Sequence, residues 1–209
     1  MMVEDDYAVL ARFYDECYAA NEELSDQDFY LDLASKTNGN ILELACGTGR
    51  ILIPIARTGK SIYGIDLSDS MLEIFHQNLK QESQEVRQNV FVSKADIRSF
   101  HFDKSFDLIT APFRPLQHLY TIEDQITCFQ NVRQHLPGTG RFAFDVFNPN
   151  YSALHSNIGV EVMDMDIPYE KQPGTRLKRF FVRDSINQID QFFTGRLIFR
   201  VCNGNEVIE

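Results

Sequence analysis

The chain has 209 residues, 44% of them hydrophobic and 24% charged, and a formal net charge of -10. That length suits one sizeable core with a small appendage. The acidic excess argues against nucleic acid, whose phosphates call for a basic footprint. No apolar run approaches the roughly 20 residues that span a bilayer.

The N-terminus, 1–6, is acidic and lacks the basic-then-apolar order of a signal peptide, so a cytoplasmic protein is expected. Between Glu4 and Asp32 ten carboxylates face the single Arg12. Residues 7–35 read as helical, with Tyr7, Leu10, Phe13 and Tyr14 and then Phe29, Tyr30 and Leu33 at helical spacing. Asn38-Gly39 is a turn signal, after which short apolar runs alternate with longer amphipathic ones. Residues 41–45 predict a strand, 50–57 a helix and 61–65 a second strand. Ser68 then caps a helix that runs to about 80, with Met71, Leu72, Phe75 and Leu79 on one face.

Further strands are predicted at 89–93, 106–111 and 141–147. Thr121 caps a helix whose expected buried stripe is Ile126, Phe129, Val132 and Leu136, stopped by Pro137-Gly138. Strands separated by helices imply βαβ units, and therefore an α/β fold built on a doubly wound, mainly parallel sheet. After Asn148-Pro149 the pattern changes. Residues 176–184 and 188–201 are rich in Phe, Val, Ile and Arg, with turn signals at Asn187-Gln188 and Asn203-Gly204. An N-terminal α/β domain, 1–149, and an antiparallel β-rich addition, 150–209, are expected. The basic group Arg176, Lys178, Arg179 and Arg183 reads as a solvated strand face. Cys17, Cys46, Cys128 and Cys202 are widely spaced and contain no C-x-x-C pair, which fits reduced thiols and neither a metal site nor a disulfide framework.

In a doubly wound sheet, ligands sit at the carboxyl ends of the strands beside the first one. Gly47 and Gly49, in "ILELACGTGR", fall there, where glycine permits a tight turn and close approach of backbone to a ligand. Asp66 ends the second strand, where a carboxylate can take both hydroxyls of a ribose, so an adenosine-containing ligand is expected. Three details narrow the choice. The G-x-G-x-x-G dinucleotide fingerprint is incomplete, because Leu52 stands at the third glycine position. No G-K-[ST] follows, which removes the phosphate-binding P-loop. Glu43, just before the turn, would repel a pyrophosphate and favour a cation such as a sulfonium or an amino group.

"LELACGTGR" resembles the first motif of class I S-adenosylmethionine-dependent methyltransferases. "YGIDLSDSML" is similar to their second segment, "KADIRSF" to the adenine-contacting segment, and "FDLITAPFRPLQHL" to the fourth strand with its catalytic-face loop. "YAVLARFYDECY" resembles the first helix of small-molecule members, including sugar-amine N-methyltransferases. The resemblance covers 7–149 and implies the Rossmann-like strand order 3-2-1-4-5. It implies S-adenosylmethionine as cofactor, with S-adenosylhomocysteine as product, and a small-molecule acceptor methylated on nitrogen or oxygen. The cofactor-binding residues it implies are Tyr14, Glu43, Ala45, Gly47, Thr48, Gly49, Asp66, Leu67, Met71, Ala95, Asp96, Ile97 and Ala111. Asp96 would meet the adenine amino group, and Ile97 would pack on the ring. The family's closing helix and antiparallel pair, strands six and seven, are not evident after Val201. Either the 176–209 strands supply that pair, or the sequence stops short of the natural C-terminus, which is the expectation taken here.

Methyl transfer is an in-line displacement on a sulfonium, so the protein mainly supplies position and a dry, shaped site. A base is needed only if the acceptor must lose its proton early. The candidates for the catalytic positions are His118, as a general base or as a packing residue at the next helix, and Arg114, holding an acidic substrate or solvated. Phe113, Gln117, Asp145 and Asn148 are candidates for the acceptor pocket. A monomer or homodimer is expected, with no metal, nucleic-acid or membrane partner. A catalytically silent binder of the same cofactor is the alternative, and a nicotinamide oxidoreductase the less favoured one.

Overall fold

The computed structural model describes residues 7–19, 26–150, 154, 156–204 and 206–209. Two helices open it, α1 (Ala8–Ala19) and α2 (Asp26–Ser35). A βαβ series follows: β1 (Ile41–Leu44), α3 (Leu52–Arg57), β2 (Ile62–Asp66), α4 (Asp69–Lys80), α5 (Gln84–Gln88), β3 (Val90–Lys94), β4 (Leu108–Ala111), α6 (Ile122–His135) and β5 (Arg141–Phe144). A short 3-10 turn, Pro115–His118, precedes α6. The five strands make one parallel sheet in the order β3-β2-β1-β4-β5, as expected. The alternation is looser than expected at one point, since no helix separates β3 from β4.

Side chains alternate across a strand, so successive residues serve opposite faces of the sheet. Ile41, Ile62 and Leu108 point to one face and meet Tyr30, Ala34, Leu52, Ile55, Leu72 and Phe75 from α2, α3 and α4. Leu42, Leu44, Ile65, Ile109 and Ala111 point to the other and meet Phe100, Phe106, Leu116, Cys128 and Val132. Two cores result, one on each side of a sheet whose central strands are wholly buried.

The predicted caps form. Ser68 Oγ accepts from the Met71 N–H at 3.1 Å, and Thr121 Oγ1 from the Asp124 N–H at 3.1 Å. The stripe expected on α6 is corrected: Ile126 and Phe129 are 50% and 42% exposed, whereas Cys128, Val132 and His135 are buried. His135 earns its place by bonding at both ring nitrogens, Nδ1 to the Asn131 carbonyl and Nε2 to the Phe102 N–H. A polar side chain thereby occupies a core position that an apolar count skips.

The chain divides into two compact units, Met1–Asp15 with Glu22–Phe147, and Glu16–Asn21 with Asn148–Glu209. The second holds a four-stranded antiparallel sheet of β6 (Glu161–Pro168), β7 (Arg176–Asn187), β8 (Phe192–Asn203) and β9 (Glu206–Val207). The hairpin turns lie where the sequence signals put them. These strands form their own sheet rather than completing the parallel one, so the alternative that 176–209 supply its sixth and seventh strands does not hold. The solvated reading of the basic group is also corrected. Arg176 pairs with Asp166, and Arg179, only 14% exposed, pairs with Asp164, both acids lying on the neighbouring β6.

Close packing of α3 on β2 depends on Gly64. A Cβ there would lie 2.4 Å from Leu52 Cδ1 and 3.0 Å from Cys46 Sγ. Gly64→Val should therefore lower stability by about 1–3 kcal/mol, the usual cost of overpacking, as measured by urea denaturation.

Candidate cofactor site

The glycine turn joins β1 to α3. Ala45, Gly47 and Gly49 all have positive φ, at 53°, 54° and 91°. Glycine adopts this region without steric penalty; Ala45 does not, and its strain is held by the surrounding turn. The Cys46 N–H donates to the Ile65 carbonyl at 3.0 Å, and the Gly49 N–H to the Cys46 carbonyl at 2.9 Å. A side chain at Gly49 would come within 2.8 Å of Ile53 and Phe75, while the space beside Gly47 is open to 4 Å. The turn is thus packed on one side and bare on the other.

Asp66 ties this turn to the end of β2. Its Oδ2 accepts from the Gly47 N–H at 2.8 Å and its Oδ1 from the Ser68 N–H at 2.9 Å. Each carboxylate oxygen can accept more than one hydrogen bond, so hydroxyl ligands remain compatible. Leu67, next along, is half exposed, and Met71 is buried in α4.

Glu43 is 2% exposed, and its Oε2 has no hydrogen-bond partner. Alternation explains the address: Glu43 shares the face of Ile41, towards α2 and α3. Burial pushes its carboxyl well above the ordinary range; Arg50 opposes this, and Asp26 and Asp66 add to it. Arg50 is held in a fork by Asp26, at 2.8 and 2.6 Å, and lies 5.3 Å from the centroid of the Phe113 ring. Tyr14 meets that ring edge-on, with centroids 6.4 Å apart.

Asp96, partly buried after β3, accepts from the Arg98 N–H at 2.8 Å and from the Arg98 guanidinium. This is an Asx-type turn rather than the helix cap that is the plain alternative for such a residue. The guanidinium holds Asp96 below the ordinary carboxylate range, and Arg98 also pairs with Asp124. Ala95 and Ile97 pack against the second core, and Ala111 is buried at the end of β4.

Phe113 and Arg114, after β4, have consecutive left-handed backbones, φ 64° and 69°. Such strain persists only where neighbours enforce it. Asp145 Oδ1 accepts from the Phe113 N–H at 2.7 Å and from the Tyr30 hydroxyl at 2.8 Å. The Arg114 guanidinium lies over both Phe113 and Phe147. Gln117 bonds the backbone of Phe147. His118 Nε2 lies 2.9 Å from the Tyr7 hydroxyl. Asn148 is exposed and belongs to the second unit. The first unit therefore brings Glu43, Ala45, Gly47, Thr48 and Gly49, then Asp66 and Leu67, then Ala95, Asp96 and Ile97 to the neighbouring ends of β1, β2 and β3. Ala111, Phe113, Arg114, Gln117 and His118 lie at and after β4, while Tyr14 lies on α1 and Met71 in α4. Sequence reading missed Arg50, Asp26, Asp15, Asn78 and Arg98. Only "GTGR" carried a local hint, an arginine next to the turn.

A parallel sheet in this order, with a glycine turn after the central strand and an acid ending the next, is a Rossmann-like cofactor-binding fold. Residues 41–140 match a family model described as a methyltransferase domain. YqeM of Bacillus subtilis (strain 168), a methyltransferase by name, is 34% identical over 118 residues, covering 56% of this chain and 46% of that protein. The chain thus spans about half the length of the curated relatives it matches. Among solved structures, Streptomyces venezuelae DesVI aligns with TM-score 0.69 and 19% identity over 99% of this chain and 80% of that one. The glycopeptide N-methyltransferase MtfA, complexed with S-adenosyl-L-methionine, aligns with TM-score 0.58 and 22% identity over 83% and 75%. At that identity the structural likenesses speak to the fold. The matched segment, 41–140, is similar to a methyltransferase domain, and the relatives and structural neighbours support a class I S-adenosylmethionine-dependent methyltransferase. MtfA has been solved with S-adenosyl-L-methionine and with S-adenosyl-L-homocysteine, which supports these as cofactor and product. The residues present fit such a cofactor: Glu43 offers a buried, unsatisfied acceptor, and the bare side of Gly47 leaves room for a group against the backbone.

Glu43 also makes a stability prediction. Its raised titration means that the folded chain holds this proton more tightly than the unfolded one. The resulting stability is full below the unfolded carboxyl range and is lost as pH rises through the folded value. Glu43→Gln should therefore raise the melting midpoint of the ligand-free protein at neutral pH, by about 2–4 °C if the effect is near 1 kcal/mol. The gain should shrink towards pH 4 in thermal scans.

Proposed function

We propose that this protein is a cytoplasmic S-adenosylmethionine-dependent methyltransferase acting on a nitrogen or oxygen atom of a small molecule. Residues 1–149 are the cofactor-binding domain and 150–209 a β-rich addition. The observation that carries the reading is the unpartnered Glu43 carboxyl below a glycine turn tied to Asp66. A buried carboxyl that gives up its proton to pair with a cation, without a phosphate-binding loop, suits a cationic, phosphate-free ligand. In support, MtfA is a glycopeptide N-methyltransferase, which accords with a neutral amine as acceptor. The formal charge of -10 disfavours nucleic acid as substrate.

In this reading Glu43 receives the cofactor's amino group, Asp66 its ribose hydroxyls, and Asp96 its adenine amino group. Ala45, Gly47, Thr48 and Gly49 offer backbone, and Leu67, Ala95 and Ile97 flank the adenine. The bound cofactor supplies an electrophilic methyl group. The chain supplies position: Asp145 holds the Phe113 backbone, Phe113 and Arg114 shape the acceptor side, and His118 can take the proton that an acceptor loses.

Isothermal titration with S-adenosylhomocysteine tests the reading, and no binding by folded protein would sink it. Asp66→Ala should weaken that binding by roughly 1.5–3 kcal/mol, the scale of hydrogen bonds to a charged group. Seating a cationic amino group at Glu43 should release protons, seen as enthalpies that differ between phosphate and Tris buffers. Equal enthalpies at every pH from 5 to 8 would remove Glu43 from that role. Transfer of labelled methyl groups to a panel of amino sugars and small amines separates an enzyme from a silent binder.

A further inference from the structure

The glycine turn is secured from above as well as from below. Thr48, between its two glycines, is 1% exposed, and its hydroxyl donates to Asp15 Oδ1 of α1 at 2.6 Å. Asn78 Nδ2, near the end of α4, donates to Asp15 Oδ2 at 2.7 Å and to the Thr48 carbonyl at 3.1 Å. One carboxylate therefore joins three elements, the first helix, the glycine turn and α4. Tyr7 and Tyr14, on the same stretch of chain, meet His118 and Phe113. Positions 7, 14 and 15 share one side of a helix. Together they place α1 across the loops after β1 and β4, at the switch point where a doubly wound sheet receives its ligand.

On the reading given above, we propose that Asp15 is a positioning residue for the cofactor turn, and that α1 is the cover whose seating by Asp15 governs retention of the cofactor's amino-acid end. Thr48 spends its hydroxyl proton on this latch and so presents backbone, not side chain, to a ligand. Tyr14 of α1 meets Phe113, and Glu43 lies in β1 just before the turn that Asp15 holds, whereas Asp66 and Asp96 follow β2 and β3. Loosening α1 uncovers the first group and leaves the second as it was. Adenosine, which has no amino-acid end, is therefore indifferent to Asp15.

The test compares S-adenosylhomocysteine and adenosine on the full chain, by titration and by stopped-flow dissociation. Asp15→Ala is expected to speed S-adenosylhomocysteine dissociation about tenfold, the worth of one charge-assisted hydrogen bond, with adenosine affinity within about twofold of the parent. Asp15→Asn keeps an acceptor for Thr48 and loses the one for Asn78, so it should recover part of the loss. Thr48→Val should mimic Asp15→Ala, and the double variant should be no worse than either single one. An unchanged dissociation rate in both Asp15→Ala and Thr48→Val overturns the assignment, and so does an equal loss of adenosine binding, which marks general damage to the fold. If the parent protein fails to bind S-adenosylhomocysteine, the functional reading falls and takes the assignment with it. Parent binding with unaltered variants overturns the assignment alone.

Discussion

Burying a carboxyl group in the central strand of a parallel sheet is costly, and much of the first unit is arranged around the place where it happens. Glu43 lies between Leu42 and Leu44, which both enter the core on the opposite face. Water cannot reach it, and one of its oxygens has no donor. Arg50 moderates the cost through space, yet its fork is already closed on Asp26. The local balance of Glu43, Asp26 and Asp66 against Arg50 stays negative. A buried group with an unmet demand is what a ligand can satisfy.

The rest of the site holds its shape through a few bridging carboxylates. Asp66 joins the turn after β1 to the turn after β2, and Asp145 joins the end of β5 to the strained Phe113 backbone and to Tyr30 of α2. Burial and the bond to Asp145 drive the Tyr30 hydroxyl far above its ordinary titration range, so it serves as a fixed donor. Each bridge links segments distant in sequence, and each accepts from backbone N–H groups that a buried loop must satisfy. Acidic residues here do the work of loop assembly.

How far the sequence could be read follows from the range of each interaction. The caps at Ser68 and Thr121 were legible because their partners lie three residues away. The strand positions and the glycine turn were legible because periodicity and turn chemistry are local and redundant, whereas the strand order was implied by the family resemblance. On α6 the periodicity was ambiguous, since stripes through Phe129 and through Cys128 both repeat with a helical period, and only the hydrogen bonds of His135 settle the choice. Strand β6 escaped notice because Glu161, Asp164 and Asp166 interrupt its apolar residues and Pro168 ends it; its acids make sense only opposite the arginines of β7. Asp15 with Thr48, and Tyr7 with His118, are separated by 33 and 111 residues. No local pattern announces such pairs, so the acceptor side of the site stayed the least legible part.

The four thiols are all buried, and they are shared evenly: Cys46 and Cys128 in the first unit, Cys17 and Cys202 in the second. Burial pushes the Cys17 and Cys128 thiols up to about 11 and raises Cys46 further from thiolate. A thiol in that condition reacts with an alkylating reagent only when the structure around it opens. The molecule therefore carries two internal clocks, one for each unit. Mapping which cysteines are modified over time would show whether each unit opens at its own rate.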